Sequence, residues 1–122
     1  MENRKLEFME DCIFCKIIKG ELPSTKVLEE EEIVAFKDIN PLAPVHVLIV
    51  PKIHFPSLTE AKDNQQVLLG KLLLVARDLA KKLGIIDKGY KVVINNGPDS
   101  GQIVFHLHLH LLGGWKDKVK DL

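Results

Sequence analysis

Between residues 106 and 112 the chain reads His106-Leu107-His108-Leu109-His110-Leu111-Leu112, with Gly113-Gly114 behind it. Strict alternation of polar and apolar residues is the mark of a half-buried strand, whose successive side chains point to opposite faces. On a helix the same residues would scatter around the axis. The stretch therefore predicts a strand that lays three imidazoles on one face, roughly 7 Å apart along the chain. Leu107, Leu109 and Leu111 then point into a core. Three of the chain's five histidines stand here. Histidine is an uncommon residue, and three ordinary surface histidines are a poor account of that concentration. Chemistry is the better one.

The remainder of the chain arranges itself around this strand. Residues 1–10 read as a flexible tail and residues 11–122 as a single domain. A short helix is expected over residues 12–20, with Gly20 as its stop and Leu22-Pro23-Ser24 breaking it. Two strands are expected at 26–29 and 33–38, joined by the acidic turn 29–32, which reads as a solvated hairpin. Asn40-Pro41-Leu42-Ala43-Pro44 is a loop, because each proline fixes φ and lacks a donor. Residues 46–50 are a nearly continuous apolar run rich in β-branched residues, hence a buried central strand.

One long helix is expected over residues 63–83. Asp63 is its cap, with Gln66 three residues on, and Gly84 stops it. Leu68, Leu72, Val75 or Ala76, Leu79 and Leu83 repeat at helical spacing. Leu69 and Leu73 widen that stripe beyond the needs of one small sheet, which suggests a second surface such as a subunit contact. Strands at 91–95 and 104–112 complete the pattern as antiparallel neighbours, with the turn-rich 96–101 between them. Strands clustered around one long helix give an α+β fold with a mostly antiparallel sheet.

Composition removes several functional classes. With 17 basic and 17 acidic residues the formal net charge is zero. No basic excess exists to drive nonspecific binding to nucleic acid or to an anionic membrane. No apolar run reaches membrane-spanning length, and residues 1–10 lack the apolar stretch of a signal peptide. Two cysteines make no disulfide framework. The cytoplasm is the expected compartment. A chain of 122 residues, 46% of them apolar, can still bury a real core.

An imidazole near its ordinary pKa of about 6.5 is substantially neutral at pH 7 and can attack as a nucleophile. Fixed beside it, a second imidazole can bind the oxygens of the electrophile. A phosphoryl centre needs that division of labour, in-line attack plus donors to charged oxygens.

The pattern His-φ-His-φ-His-φ-φ, with φ apolar, resembles the defining motif of the histidine triad family. Ile17-Ile18-Lys19-Gly20-Glu21-Leu22-Pro23-Ser24, Pro44-Val45-His46-Val47-Leu48-Ile49-Val50-Pro51-Lys52 and Gly101-Gln102-Ile103-Val104-Phe105 are also similar to that family, closest to its nucleoside phosphoramidate hydrolase branch. The likeness runs from about Asp11 to Gly114. It implies a five-stranded sheet with one long and one short helix, in a homodimer. It implies too that His108 is the nucleophile attacking the α-phosphorus of a purine nucleotide, forming a nucleotidyl-histidine that water releases. His110 would donate to phosphate oxygens, and His46 would line the site as a fourth histidine.

By the same resemblance, Asp38 accepts from the ribose hydroxyls, a sensible partner for a vicinal diol. Ile13, Phe14, Ile17, Phe36, Ile39 and Leu48 match the apolar slot for the base, although plain core packing explains each of them singly. Asn95, Gly101, Gln102, Ile103 and Val104 match the loop that meets the phosphate and leaving group, and Gly101 permits close backbone approach. A simple hairpin turn would use the same loop residues. At Ile103 the best-known phosphoramidate hydrolases carry a serine that assists the leaving amine; isoleucine has no proton to give. Trp115 stands where the family often has arginine.

Cys12 and Cys15 form a Cys-x-x-Cys pair, which chelates zinc only with two further ligands. In relatives that carry zinc on such a pair, the other ligands resemble His54 and His106, which would make a closed structural Cys2His2 site. The alternative is two ordinary thiols. The leading function is thus a hydrolase of adenosine-type 5'-phosphoramidates whose chemistry requires no cofactor. Its rivals are a nucleotidyl transferase or dinucleotide hydrolase with the same intermediate, a nucleotide-binding module with weak turnover, and a metalloenzyme whose triad holds a catalytic metal.

Overall fold

The structure, a computed structural model, describes residues 11–120; the tail expected over residues 1–10 lies outside them. The elements are α1 (Ile13–Ile18), β1 (Lys26–Glu29), β2 (Ile33–Lys37), β3 (Val45–Pro51), α2 (Gln66–Lys82), β4 (Tyr90–Val93) and β5 (Leu109–Gly113). The strands form one sheet in the order β1-β2-β3-β5-β4, and every neighbouring pair is antiparallel. This is the expected α+β fold, with one long helix and one short one. Among the described residues no helix is long and apolar enough to cross a membrane.

The two faces of the sheet are covered differently. On one side Leu72, Ala76, Leu79 and Ala80 of α2 join Ala35, Val47, Ile49, Leu109 and Leu111 in the main core. On the other, α1 lays Phe14, Cys15 and Ile17 against Val34, Phe36, Leu48 and Val50. Because β3 is central and buried on both faces, its apolar run is nearly continuous rather than alternating. Both helices end in a left-handed glycine, Gly20 at φ 82° and Gly84 at φ 76°. At the end of α2, Ile85 N–H donates to the Ala80 carbonyl and Gly84 N–H to that of Lys81, which satisfies two of the open carbonyls of the last turn.

Three expectations need correction. The last strand does not begin at residue 104; ladder pairing starts at Leu109, and 101–108 is irregular. His106 is drawn away toward α1, and Leu107 N–H donates to the Phe55 carbonyl instead of a strand partner. Even so, the alternation of facing survives, since Leu107, Leu109 and Leu111 all enter the main core while His106 and His108 are buried outside it. Asp63 does not cap α2. A 3-10 turn, Asp63–Gln65, precedes the helix, and Gln65 Oε1 accepts from Lys62 N–H at 2.8 Å. Finally, Leu69 packs against the core, whereas Val67, Leu73 and Leu74 carry the exposed apolar surplus of α2.

Gly113 shows how tightly β5 is fitted. A Cβ placed there would stand 2.7 Å from Ile85 Cδ1 and 3.0 Å from Ile85 Cβ. Ile85 is itself buried in the core, so it has little room to yield. Gly113→Ala should therefore cost about 1–3 kcal/mol of stability, and less in an Ile85→Ala background, as read by urea unfolding. An unchanged unfolding midpoint for the single variant would contradict this packing.

Candidate functional site

His46 on β3 and His110 on β5 face each other on the α1 side of the sheet, with His108 just before β5. The register pairs Leu48 with His110 and His46 with Leu112, which puts the two imidazoles on adjacent strands of one face. Hydrogen-bond partners assign the tautomers. His108 Nδ1 lies 2.7 Å from the His106 carbonyl oxygen, so Nδ1 carries the proton and Nε2 keeps a lone pair. Leu42 N–H donates to His46 Nδ1 at 3.0 Å, which leaves the His46 proton on Nε2. That Nε2 is 2.9 Å from His110 Nδ1, which must accept, so His110 carries its proton on Nε2. His108 and His110 thus present opposite functions with their ring centroids 4.9 Å apart.

Burial keeps these rings neutral. It pushes His110 down from 6.5 to about 4, with His108 and His46 adding to the effect and Asp38 opposing it. His108 and His46 are lowered by burial as well, again partly offset by Asp38. Phe14 stands edge-on to His108, centroid to centroid 5.1 Å, and fixes the plane of that ring. Asp38 Oδ2 lies 3.4 Å from His46 Nε2 while its Oδ1 accepts from Asn40 N–H at 2.8 Å. Asp38, His46 and His110 could in principle hold a metal, but their bonds to one another already account for the group.

A second cluster lies behind the first. Cys12, Cys15, His54 and His106 bring one ligand atom each within 4.8 Å of one another. His106 Nε2 donates to the Pro51 carbonyl at 2.8 Å, so its Nδ1 is bare toward the sulfurs. That Nδ1 lies 3.4 Å from Cys12 Sγ, 3.6 Å from Cys15 Sγ and 3.0 Å from His54 Nδ1; Cys15 Sγ to His54 Nδ1 is 3.5 Å. A tetrahedral zinc has edges of about 3.3 Å between nitrogens and about 3.6 Å between nitrogen and sulfur. The four donors fit a structural zinc, and with all four positions filled none is left for a substrate. Burial and the nearby imidazoles of His54 and His108 lower His106 to about 4, the neutral form a metal requires.

The base-slot residues divide. Phe14, Ile17, Phe36 and Leu48 come together in one buried cluster, and Val104 packs against it. Ile13 and Ile39 do not join it; they are 50% and 89% exposed. Gln102 is buried, and its Nε2 donates to both the Pro56 and Val104 carbonyls, at 2.7 and 3.0 Å. Its Oε1 accepts from Gly97 N–H at 2.8 Å. Both amide protons are thus spent on holding the loop and none is aimed at a phosphate. Ile103 points outward, 87% exposed, and Gly101 is exposed at the end of a 3-10 turn. Asn96, next to Asn95, ties this loop to the segment after Ser57, its Oδ1 accepting from Leu58 N–H at 2.8 Å. Leu42 N–H and the Pro51 carbonyl are the participants that sequence reading missed. Both are main-chain groups, and no residue type signals them.

The HIT domain family model matches residues 19–117. The chain is 51% identical over 105 residues to Protein HitA of Neisseria gonorrhoeae, covering 86% of this chain and 97% of that one. It is 53% identical over 104 residues to a 14 kDa zinc-binding protein of Zea mays, covering 84% and 80%. A solved HIT family hydrolase from Clostridium thermocellum superposes with a TM-score of 0.88 at 50% identity, covering 93% of this chain and 99% of that one.

If the second cluster is a structural zinc site, protein purified without chelator will carry about one zinc per chain. Cys12→Ser will then melt lower by at least about 5 °C, because metal binding contributes to folding. A metal-free preparation that refuses added zinc and melts normally would reduce the cysteines to ordinary thiols.

Proposed function

The chain belongs to the histidine triad (HIT) domain family, and from that premise we propose that it hydrolyses adenosine-type 5'-phosphoramidates through a nucleotidyl-histidine on His108. The observation that carries this reading is the pairing of opposite tautomers. His108 offers an unprotonated Nε2 and His110 an Nε2–H, side by side on one face. A nucleophile next to a preset donor is what displacement at phosphorus requires.

The steps follow from those atoms. The base packs at the edge of the apolar cluster of Phe14, Phe36 and Leu48, and the ribose hydroxyls donate to Asp38. His110 Nε2–H donates to a non-bridging phosphate oxygen, where charge develops. His108 Nε2 attacks phosphorus in line, the phosphorus–nitrogen bond breaks, and the amine leaves with a proton from solvent. Ile103 has no proton to offer, so this step lacks a side-chain acid from that position. In the intermediate the imidazolium charge is stabilised by Nδ1–H donating to the His106 carbonyl. Water then attacks phosphorus, the phosphorus–Nε2 bond breaks, and nucleoside monophosphate leaves with the ring restored. When bound, zinc supplies rigidity to the segment bearing His106 and takes no part in the displacement. The similarity to a HIT family hydrolase and the neutral state of the imidazoles support the reading.

His108→Ala should lower kcat by at least about 1,000-fold while adenosine monophosphate still binds, since only the nucleophile is lost. His110→Ala should cost about 100- to 1,000-fold, the worth of one donor to the transition state. Because burial holds both pKa values below 6.5, kcat/KM should stay level as pH falls through 6.5 and decline only at lower pH. An acid limb centred at or above 6.5, or wild-type kcat in His108→Ala, would contradict the mechanism.

A further inference from the structure

The β5 ladder stops short of the residue that needs the firmest hold. Pairing with β3 begins where Leu109 faces Ile49, so His108 and the residues back to Gly101 lie outside it. Continuing the register would set Pro51 opposite Leu107, and Pro51 has no N–H with which to extend a ladder. Other contacts must therefore place the backbone of His108. They converge on the stretch that follows β3, which is itself anchored. Phe55 is buried in the main core, and the buried Ser57 Oγ accepts from Thr59 N–H at 3.2 Å. His106 Nε2 donates to the Pro51 carbonyl and Leu107 N–H to that of Phe55, each at 2.8 Å. Upstream, Gln102 Nε2 donates to both the Pro56 and Val104 carbonyls, and its Oε1 accepts from Gly97 N–H.

Among these ties, the one through Gln102 is made by a side chain to which the zinc corner and the displacement give no part. That side chain is buried, and a buried amide is costly unless its polar atoms find partners. Here two N–H protons and one oxygen meet three separate main-chain groups, belonging to Pro56, Val104 and Gly97. A methionine of similar length would fill the space and tie none of them. The backbone between Val104 and Leu107 is thereby clamped at both ends. Val104 is held to Pro56 through the glutamine, and Leu107 is held directly to Phe55. Between the two clamps lies the His106 carbonyl, which accepts the Nδ1–H of His108 at 2.7 Å.

We propose that Gln102 is a positioning residue for His108. Its amide does the work of the missing ladder, fixing the backbone that carries the His106 carbonyl and hence the imidazole bonded to that carbonyl. The proposal rests on the reading of His108 as nucleophile given above. It assigns the glutamine no contact with substrate.

Two variants of the whole protein separate positioning from a contact with substrate and from bulk stability. Gln102→Glu keeps the acceptor for Gly97 N–H and loses both donors, whereas Gln102→Met keeps only the length. Either one that is folded at the assay temperature suffices. Its kcat should fall about 10- to 100-fold while KM changes less than about threefold, as a displaced nucleophile requires. In the free wild-type protein, nitrogen NMR of the histidine rings should show His108 almost wholly as the Nδ1–H tautomer. In the variant at least about 20% should become Nε2–H, because the His106 carbonyl is no longer held to its proton. Lost stability does not move that tautomer in a protein that remains folded, and neither does a lost contact with substrate. A third measurement needs no variant. The side-chain amide of Gln102 in the wild type should be protected from hydrogen exchange equally with and without adenosine monophosphate. Protection that arises only when nucleotide binds, a His108 tautomer unchanged in the folded variant, or wild-type kcat there, overturns the proposal. A tautomer that responds to Gln102 in a protein that hydrolyses no phosphoramidate overturns instead the hydrolase reading, and leaves the tie to His108 standing.

Discussion

His106 is held on three sides at once, and the site depends on all three contacts. Its Nε2–H is fixed by the Pro51 carbonyl at the end of β3, which turns Nδ1 toward Cys12 and Cys15. Its own carbonyl oxygen accepts the Nδ1–H of His108, which leaves the lone pair of His108 on Nε2. One residue thereby joins the Cys12, Cys15 and His54 corner to His108 through its main chain. The sulfur–histidine corner and the His108–His110 pair are adjacent parts of the structure, linked through the His106 main chain.

A similar chain of assignments runs from the proline loop. Leu42 N–H fixes the tautomer of His46, and His46 fixes that of His110. The loop 40–44 thus does more than join β2 to β3. It delivers a backbone donor to the back of the site, so that the Nε2–H of His110 is set two hydrogen bonds away. Burial makes these assignments firm, because the charged forms are disfavoured and each ring is left with one proton and one lone pair. Among the described residues no buried side-chain nitrogen or oxygen lacks a hydrogen-bond partner.

Much of this was legible in the sequence, for physical reasons that also mark where legibility stops. The leucine–histidine alternation predicted which side chains face the core, and Leu107, Leu109 and Leu111 do so. It could not predict that the ladder begins only at Leu109, because side-chain alternation needs extended backbone but no strand partner. Cys12, Cys15, His54 and His106 converge as the likeness to zinc-bearing relatives implied. The partners of Gln102 were not legible, because residue type shows that an amide is present and not which carbonyls take its protons. The exposed surplus of α2 fell on Val67, Leu73 and Leu74, since the tilt of a helix on its sheet decides which flank of an apolar stripe is covered. The backbone partners at Leu42 and Pro51 had no sequence signal at all.

The central claim is that phosphorus becomes bonded to His108 Nε2 during turnover. The most direct measurement is mass spectrometry of protein denatured, without acid, moments after mixing with an adenosine 5'-phosphoramidate, followed by mapping of the modified peptide. The account predicts an adenylyl group on His108 that forms and decays at rates matching turnover. Turnover that proceeds with no adduct, or with the adduct on another residue, would contradict it.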